Sequence, residues 1–147
     1  MENGSEEQFL IHNTTIQGYD THPLLNFSET VYDMEINGSN IVFKDIDIYT
    51  NGSNIDFYGE DINVSNMVIN INGAPGLVFY EATNVYVDNI DILGSSAISD
   101  TGIEAHNIEN MVISNIYINN SYYGIYLSLI HISEPTRPRL ISYAVFC

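Results

Sequence analysis

Basic side chains are almost absent: three Lys and Arg stand against nineteen Asp and Glu, a net charge of −16 over 147 residues. Proteins that bind nucleic acid draw much of their affinity from cations set against phosphates, so this balance excludes DNA and RNA as partners, and anionic membrane surfaces with them. A single cysteine, Cys147, excludes an internal disulfide framework and a thiolate zinc cluster. No apolar run is long enough to cross a bilayer, so no membrane insertion is expected. Residues 1–8 carry three Glu where a signal peptide would place Lys or Arg and then an apolar stretch. Tryptophan is missing, yet 45% of the residues are hydrophobic, with 11 Tyr and 6 Phe. That is too apolar for a disordered acidic chain, and the length suits one domain or a short stack of repeats.

The scarce residue types are also unevenly placed. Arg137, Arg139, Pro135, Pro138 and Cys147 all fall in the last twenty-one residues. From Leu127 through Ser133, Glu134, Pro135, Thr136 and Arg137 to Ala144, Val145, Phe146 and Cys147, this segment resembles the in-frame translation of a transposon-type sequencing-library adaptor, index gap included. Residues 127–147 are therefore set apart as adaptor-derived, and His131, both arginines and Cys147 carry no functional weight. Residues 1–126 then hold one cation, Lys44, against eighteen carboxylates.

What those residues do have is a repeat. The nine-residue pattern Asn or Asp, apolar, any, apolar, any, Asn or Asp, apolar, any, apolar fits Asn40–Ile48, Asp61–Ile69, Asn84–Ile92 and Asn110–Ile118. All sixteen apolar slots are filled, with Ile46, Met67, Ile90 and Ile116 in corresponding places. A second pattern, Gly or Asn, apolar, any, apolar, follows at Asn54–Phe57, Gly76–Phe79 and Gly102–Ala105, and begins again at Gly124. Alternation at period two means short strands, and a repeat in the low twenties built from such strands is one turn of a solenoid. Leucine-rich repeats share the length, but here Ile and Val dominate and no segment shows a 3.6-residue period. Apolar slots 4 and 7 are three apart instead of two, so the chain must bend at Asp45, Asn66, Asn89 and Asn115. Asn tolerates the left-handed backbone region, and Asn side chains about 4.8 Å apart on successive coils can hydrogen-bond along the stack.

The segments SNIVFKDIDI, TNVYVDNIDI and ENMVISNIYINNSYYGIYL resemble repeats of the right-handed parallel β-helix, or pectate-lyase-like, family, including adhesin-like surface proteins. The resemblance covers residues 13–126 and implies an all-β fold: a right-handed parallel β-helix of about five coils, truncated where the pattern stops in mid-coil. The expected organisation is a flexible N-terminal segment over 1–10, β-helix repeats over 11–126 with an irregular first coil, and the adaptor-like tail over 127–147. The resemblance also implies an extracellular or cell-surface location. Two functions fit it: an adhesin-like, non-enzymatic β-helix that contacts glycan or spaces a binding region from the cell, or a fragment of a polysaccharide-active enzyme (polygalacturonase-like hydrolase, lyase or epimerase) whose catalytic coil is missing.

Candidate site residues follow from equivalent slots. Tyr58, Tyr80 and His106 each come directly after the last apolar slot of the second pattern. Asp56 and Glu104 fill the neighbouring outward slot, and Glu81 follows Tyr80. Aromatic rings beside carboxylates on one solenoid face can hold a polysaccharide or glycan, whereas the same tyrosines also stabilise a parallel ladder unaided. No catalytic set is assigned. Lyase chemistry resembles proton abstraction by Arg or Lys, and residues 1–126 contain no Arg. Ser99–Ile103 faintly resembles the Asn-Thr-Asp-Gly segment of polygalacturonase-like hydrolases, but Asp100 before Gly102 reads better as a turn residue. His22, beside Asp20, falls in a loop of the first coil without a third ligand. No cofactor is assigned; calcium would have to use outward carboxylates such as Asp45, Asp47, Asp88 and Asp91, of which Asp47 and Asp91 are not on adjacent coils. Seven Asn-x-Ser/Thr sequons permit glycosylation of an exported chain.

Overall fold

The structure is a computed structural model that describes residues 8–12, 14–18, 23–27 and 33–128. Among these residues there are ten strands and no helix: β1 (Gln8–His12), β2 (Thr15–Gln17), β3 (Leu24–Phe27), β4 (Met34–Lys44), β5 (Asp47–Thr50), β6 (Ile55–Asn70), β7 (Leu77–Leu93), β8 (Thr101–His106), β9 (Glu109–Asn119) and β10 (Tyr123–Ser128). Every pairing is parallel, and each strand pairs with the one a full turn away in sequence. The result is a parallel β-solenoid of about five turns, of the right-handed type that β-crossovers favour.

Each turn contributes three strand segments, which stack into three strips. In the first, Met34, Ile55, Leu77, Ile103 and Ile125 lie in register, as do Ile36, Phe57, Phe79, Ala105 and Leu127. In the second, Ile41, Ile62, Val85 and Met111 align; in the third, Ile48, Ile69, Ile92 and Ile118. Alternation sends every second side chain inward, so these columns fuse into one core in which Ile41, Ile48, Ile55, Phe57, Ile62, Ile69, Leu77, Phe79, Ile90 and Ile92 are fully buried. The expected column Ile46, Met67, Ile90, Ile116 is present, with Met67, Ile90 and Ile116 in register and the first three buried. At its centre Phe57 stacks on Phe79 at 5.2 Å and meets Phe43 edge-on at 5.8 Å. Each inward side chain contributes roughly 1.5–3 kcal/mol, which no coil can secure alone because its neighbours form the walls.

The corners are set by backbone sign. Asp45, Asn66, Asn89 and Asn115 have φ of 57°, 54°, 54° and 51°, which is the expected bend. A second bend lies at Asn40, Asp61, Asn84 and Asn110, with φ of 53°, 53°, 55° and 62°. Asn and Asp enter this region more cheaply than other side-chain-bearing residues. Their side chains also link the coils: Asn66 Nδ2 donates to Asp45 Oδ1 at 3.0 Å, Asn89 Nδ2 to Asn66 Oδ1 at 2.9 Å, and Asn84 Nδ2 to Asp61 Oδ1 at 2.9 Å. Asn115 departs from the ladder and donates to Asp88 Oδ1 at 2.8 Å, beside the Ser114 hydroxyl at 2.7 Å.

Strand pairing extends past the repeat pattern at both ends. Pairing begins at Gln8, inside the segment expected to be flexible, because Phe9, Leu10 and Ile11 continue a strand that aligns with Ile36, Asn37 and Gly38. At the other end Leu127 and Ser128 prolong β10 opposite Ala105 and His106, since an apolar residue followed by a small polar one fits that register. The remainder of the adaptor-like segment, and residues 19–22 with His22, lie outside the described residues.

Candidate functional site

Tyr58, Tyr80 and His106 lie on the outer face of the first strip, each one residue after an inward Phe57, Phe79 or Ala105. Register puts them directly above one another, with Asn37 before them and Ser128 after. The rings form a continuous stack: Tyr58 on Tyr80 at 5.3 Å and 20°, Tyr80 on His106 at 5.0 Å and 13°. Tyr126 meets His106 at 6.0 Å, tilted by 50°. Sequence reasoning passed over Tyr126, which falls in the slot of Glu104 on the following coil.

This stack differs from a platform in one respect that matters for ligands. Rings nearly parallel and about 5 Å apart spend their faces on each other, so solvent meets their edges and polar tips. A sugar reaching the strip would therefore meet ring edges, with hydroxyl and imidazole groups to hydrogen-bond, and not a row of ring faces. All three members are half-buried.

The carboxylates are less regular than the rings. The neighbouring column runs Glu35, Asp56, Val78, Glu104, Tyr126, so buried Val78 separates the two acids. Asp56 is only 6% exposed, whereas Glu104 is half-buried with Oε2 3.3 Å from His106 Nε2. Glu81 is exposed but sits at a corner, at φ 48°, where the register between β6 and β7 shifts. It occupies a bulge in place of a continuing strand position, so it does not extend the row formed by Asp56 and Glu104. The ionisation of Tyr80 is pushed up from its ordinary value, first by burial and then by the negative charges of Asp56, Glu104 and Asp33. The four residues thus share one electronegative neighbourhood.

Asp100 plays a different part. It is fully buried, and its carboxylate accepts four hydrogen bonds: from Gly73 N at 2.6 Å to Oδ1, and from Ser95 N at 2.6 Å, Ser95 Oγ at 2.9 Å and Ala97 N at 3.1 Å to Oδ2. Burial pushes its pKa up, but the hydrogen bonds from Gly73, Ser95 and Ala97 outweigh it and hold the group below the ordinary carboxylate range. Both oxygens are engaged, Oδ2 by three donors and Oδ1 by one, which suits a loop anchor and not a proton donor to substrate. Among the described residues no cluster of three or more His, Cys, Asp or Glu is arranged to hold a metal ion. Asp45, Asp47 and Asp88 instead accept from Asn66, from the Val68 N–H and from Ser114 and Asn115. Asp47 and Asp91 are separated by Val68 in their column.

No protein-family model, curated protein or solved structure matches the chain. The assignment to a β-solenoid rests on its own geometry.

Proposed function

We propose that this chain is a non-catalytic section of an adhesin-like, surface-displayed β-solenoid, and that the strip Tyr58, Tyr80, His106 contacts carbohydrate with Glu104 and Glu81 at its margins. The observation that carries the reading is the register of the strip. Coils rise by about 4.8 Å, of the order of one pyranose ring, so a linear polysaccharide lying along the axis would meet an equivalent polar edge at each coil. Stacking within the strip fixes the ring tips in advance, which lowers the entropy that binding must overcome. Asp56, almost wholly buried, acts here by its charge and not by contact. Each edge contact is weak, on the order of 1 kcal/mol, so useful affinity comes from many coils and many copies, as on a surface protein.

Glycan-array binding of the chain displayed in many copies, compared with Tyr58→Ala plus Tyr80→Ala in the same format, tests the reading. The double variant should lose most of the signal while keeping its β spectrum. Equal signals from both proteins, or none from either, would leave the rings as a structural ladder and the solenoid as a spacer.

A further inference from the structure

A different corner carries a chemical property of its own. Four Asn-Gly steps occur in the sequence, of which Asn37–Gly38, Asn51–Gly52 and Asn72–Gly73 lie among the described residues. Asn followed by Gly is the step most prone to self-deamidation, because no side chain shields the following amide nitrogen. Their settings differ. Asn37 and Gly38 are inside β4, held on both sides by β1 and β6. Asn51 and Asn72 stand at the same corner on successive coils, with glycines at φ 78° and 76°. Asn72 Nδ2 donates to Asn51 Oδ1 at 2.8 Å.

We propose that Asn51–Gly52 is a spontaneous modification site of the folded protein, at which the side-chain amide is lost as ammonia. The Gly52 nitrogen, having given up its proton to solvent base, bonds to Asn51 Cγ; the Cγ–Nδ2 bond breaks and ammonia leaves with a proton from water. The resulting five-membered succinimide takes up one water and opens to aspartate or isoaspartate. Three features single out Asn51. It is exposed, and so is Gly52. The amide of Asn72 donates to its Oδ1, which draws electrons from Cγ. The Gly52 N–H donates to a neutral acceptor, the carbonyl of Asn72 at 2.8 Å, whereas the Gly73 N–H donates to the Asp100 carboxylate at 2.6 Å, whose negative charge opposes formation of an amide anion. Asn72 is thereby protected by the same acid that anchors the neighbouring loop.

The fold accommodates the aspartate product. An Asp at position 51 would still accept from Asn72, as Asp45 accepts from Asn66 and Asp61 from Asn84. Conversion of Asn72 would instead set a carboxylate against the Asn51 oxygen.

Peptide mapping by mass spectrometry tests this on the full chain kept warm in mildly alkaline buffer, with a parallel sample in urea. In the folded protein the one-dalton gain should accumulate at Asn51 about fivefold or more faster than at Asn37 or Asn72, and in urea the three should converge. Asp100→Ala should raise the rate at Asn72 selectively. Equal rates at Asn51 and Asn72 in the folded chain, or an Asn51 that converts only in urea, would overturn the proposal.

Discussion

The solenoid turns its corners in two ways. At Asn40, Asp61, Asn84, Asn110 and at Asp45, Asn66, Asn89, Asn115 the turn is one residue with positive φ, repeated on four coils and cross-linked by side-chain amides. Between the third strip and the first, the connections instead run over 51–54, 71–76, 94–100 and 120–122, and no two are alike. The first kind spreads its cost over every coil. The second concentrates it, and the longest loop depends on a single buried side chain, Asp100, which ties Gly73, Ser95 and Ala97 into one cluster. Repetition makes the first kind tolerant of loss at any one coil, while the second is vulnerable at one atom group.

The sharpest way to break this contrast is Asp100→Ala. It leaves three backbone N–H groups and one hydroxyl to find new partners, and a cost of about 2–4 kcal/mol is expected in urea unfolding. The same carboxylate sets a pH dependence. Its folded pKa is depressed, so its contribution is fully present above the ordinary carboxylate value of 3.8 and disappears as pH falls through the lower folded value. Unfolding midpoints of the parent should fall on acidification below about 4, and the loss should be smaller in Asp100→Ala. An unchanged acid profile in the variant would remove Asp100 from its role as anchor.

The single-residue corners are probed by Asn89→Ala and Asn89→Gly. Alanine brings the strain of a side chain in the left-handed region and loses the amide bond to Asn66, for about 1–2 kcal/mol. Glycine removes the strain and loses only the hydrogen bond, so it should cost less, by roughly 1 kcal/mol. Equal losses would mean that the ladder, and not the backbone sign, makes the corner.

Which parts of this were legible in the sequence follows from the same difference. The bend at position six of the nine-residue pattern showed itself because Phe43 and Ile46, Val64 and Met67, Val87 and Ile90 break alternation by one residue within a fixed frame. The bend at position one has identical geometry, but its preceding inward residue lies across a stretch of varying length, so no phase shift could be read. The ring stack was legible from equivalent slots, because register follows from the repeat. The direction of the ring faces was not, since it depends on side-chain torsions that spacing does not encode. Asp100 reads as a turn residue, but its part as an anchor is not legible, because its partners Gly73 and Ser95 belong to loops outside either pattern. Alternation places Asp56 outward, yet it is only 6% exposed, and spacing along the chain carries no sign of that.

The smallest effect, and the most local test, concerns Glu81. Tyr80 aligns with His106 and Thr83 with Glu109, so Glu81 corresponds to Asn107, while the two preceding coils place Gly38 and Gly59 before this corner. Gly59, at φ 113°, has no alternative, because a Cβ there would overlap the Gly38 carbonyl. From the coil of β7 on, one residue is inserted, and it brings an additional inward side chain, Ala82 and then Ile108, both buried. The insertion requires positive φ at the residue before it, which Asn107 meets at 55° and Glu81 at 48°. Glutamate gains nothing from that region, whereas Asn is the side chain that enters it with least strain. Glu81→Asn should therefore raise stability by about 0.5 kcal/mol, read as a higher urea midpoint at unchanged slope. It also separates the two roles given to this position: a gain in stability with undiminished glycan binding assigns Glu81 to the corner alone, whereas a loss of binding with the same gain returns it to the margin of the aromatic strip.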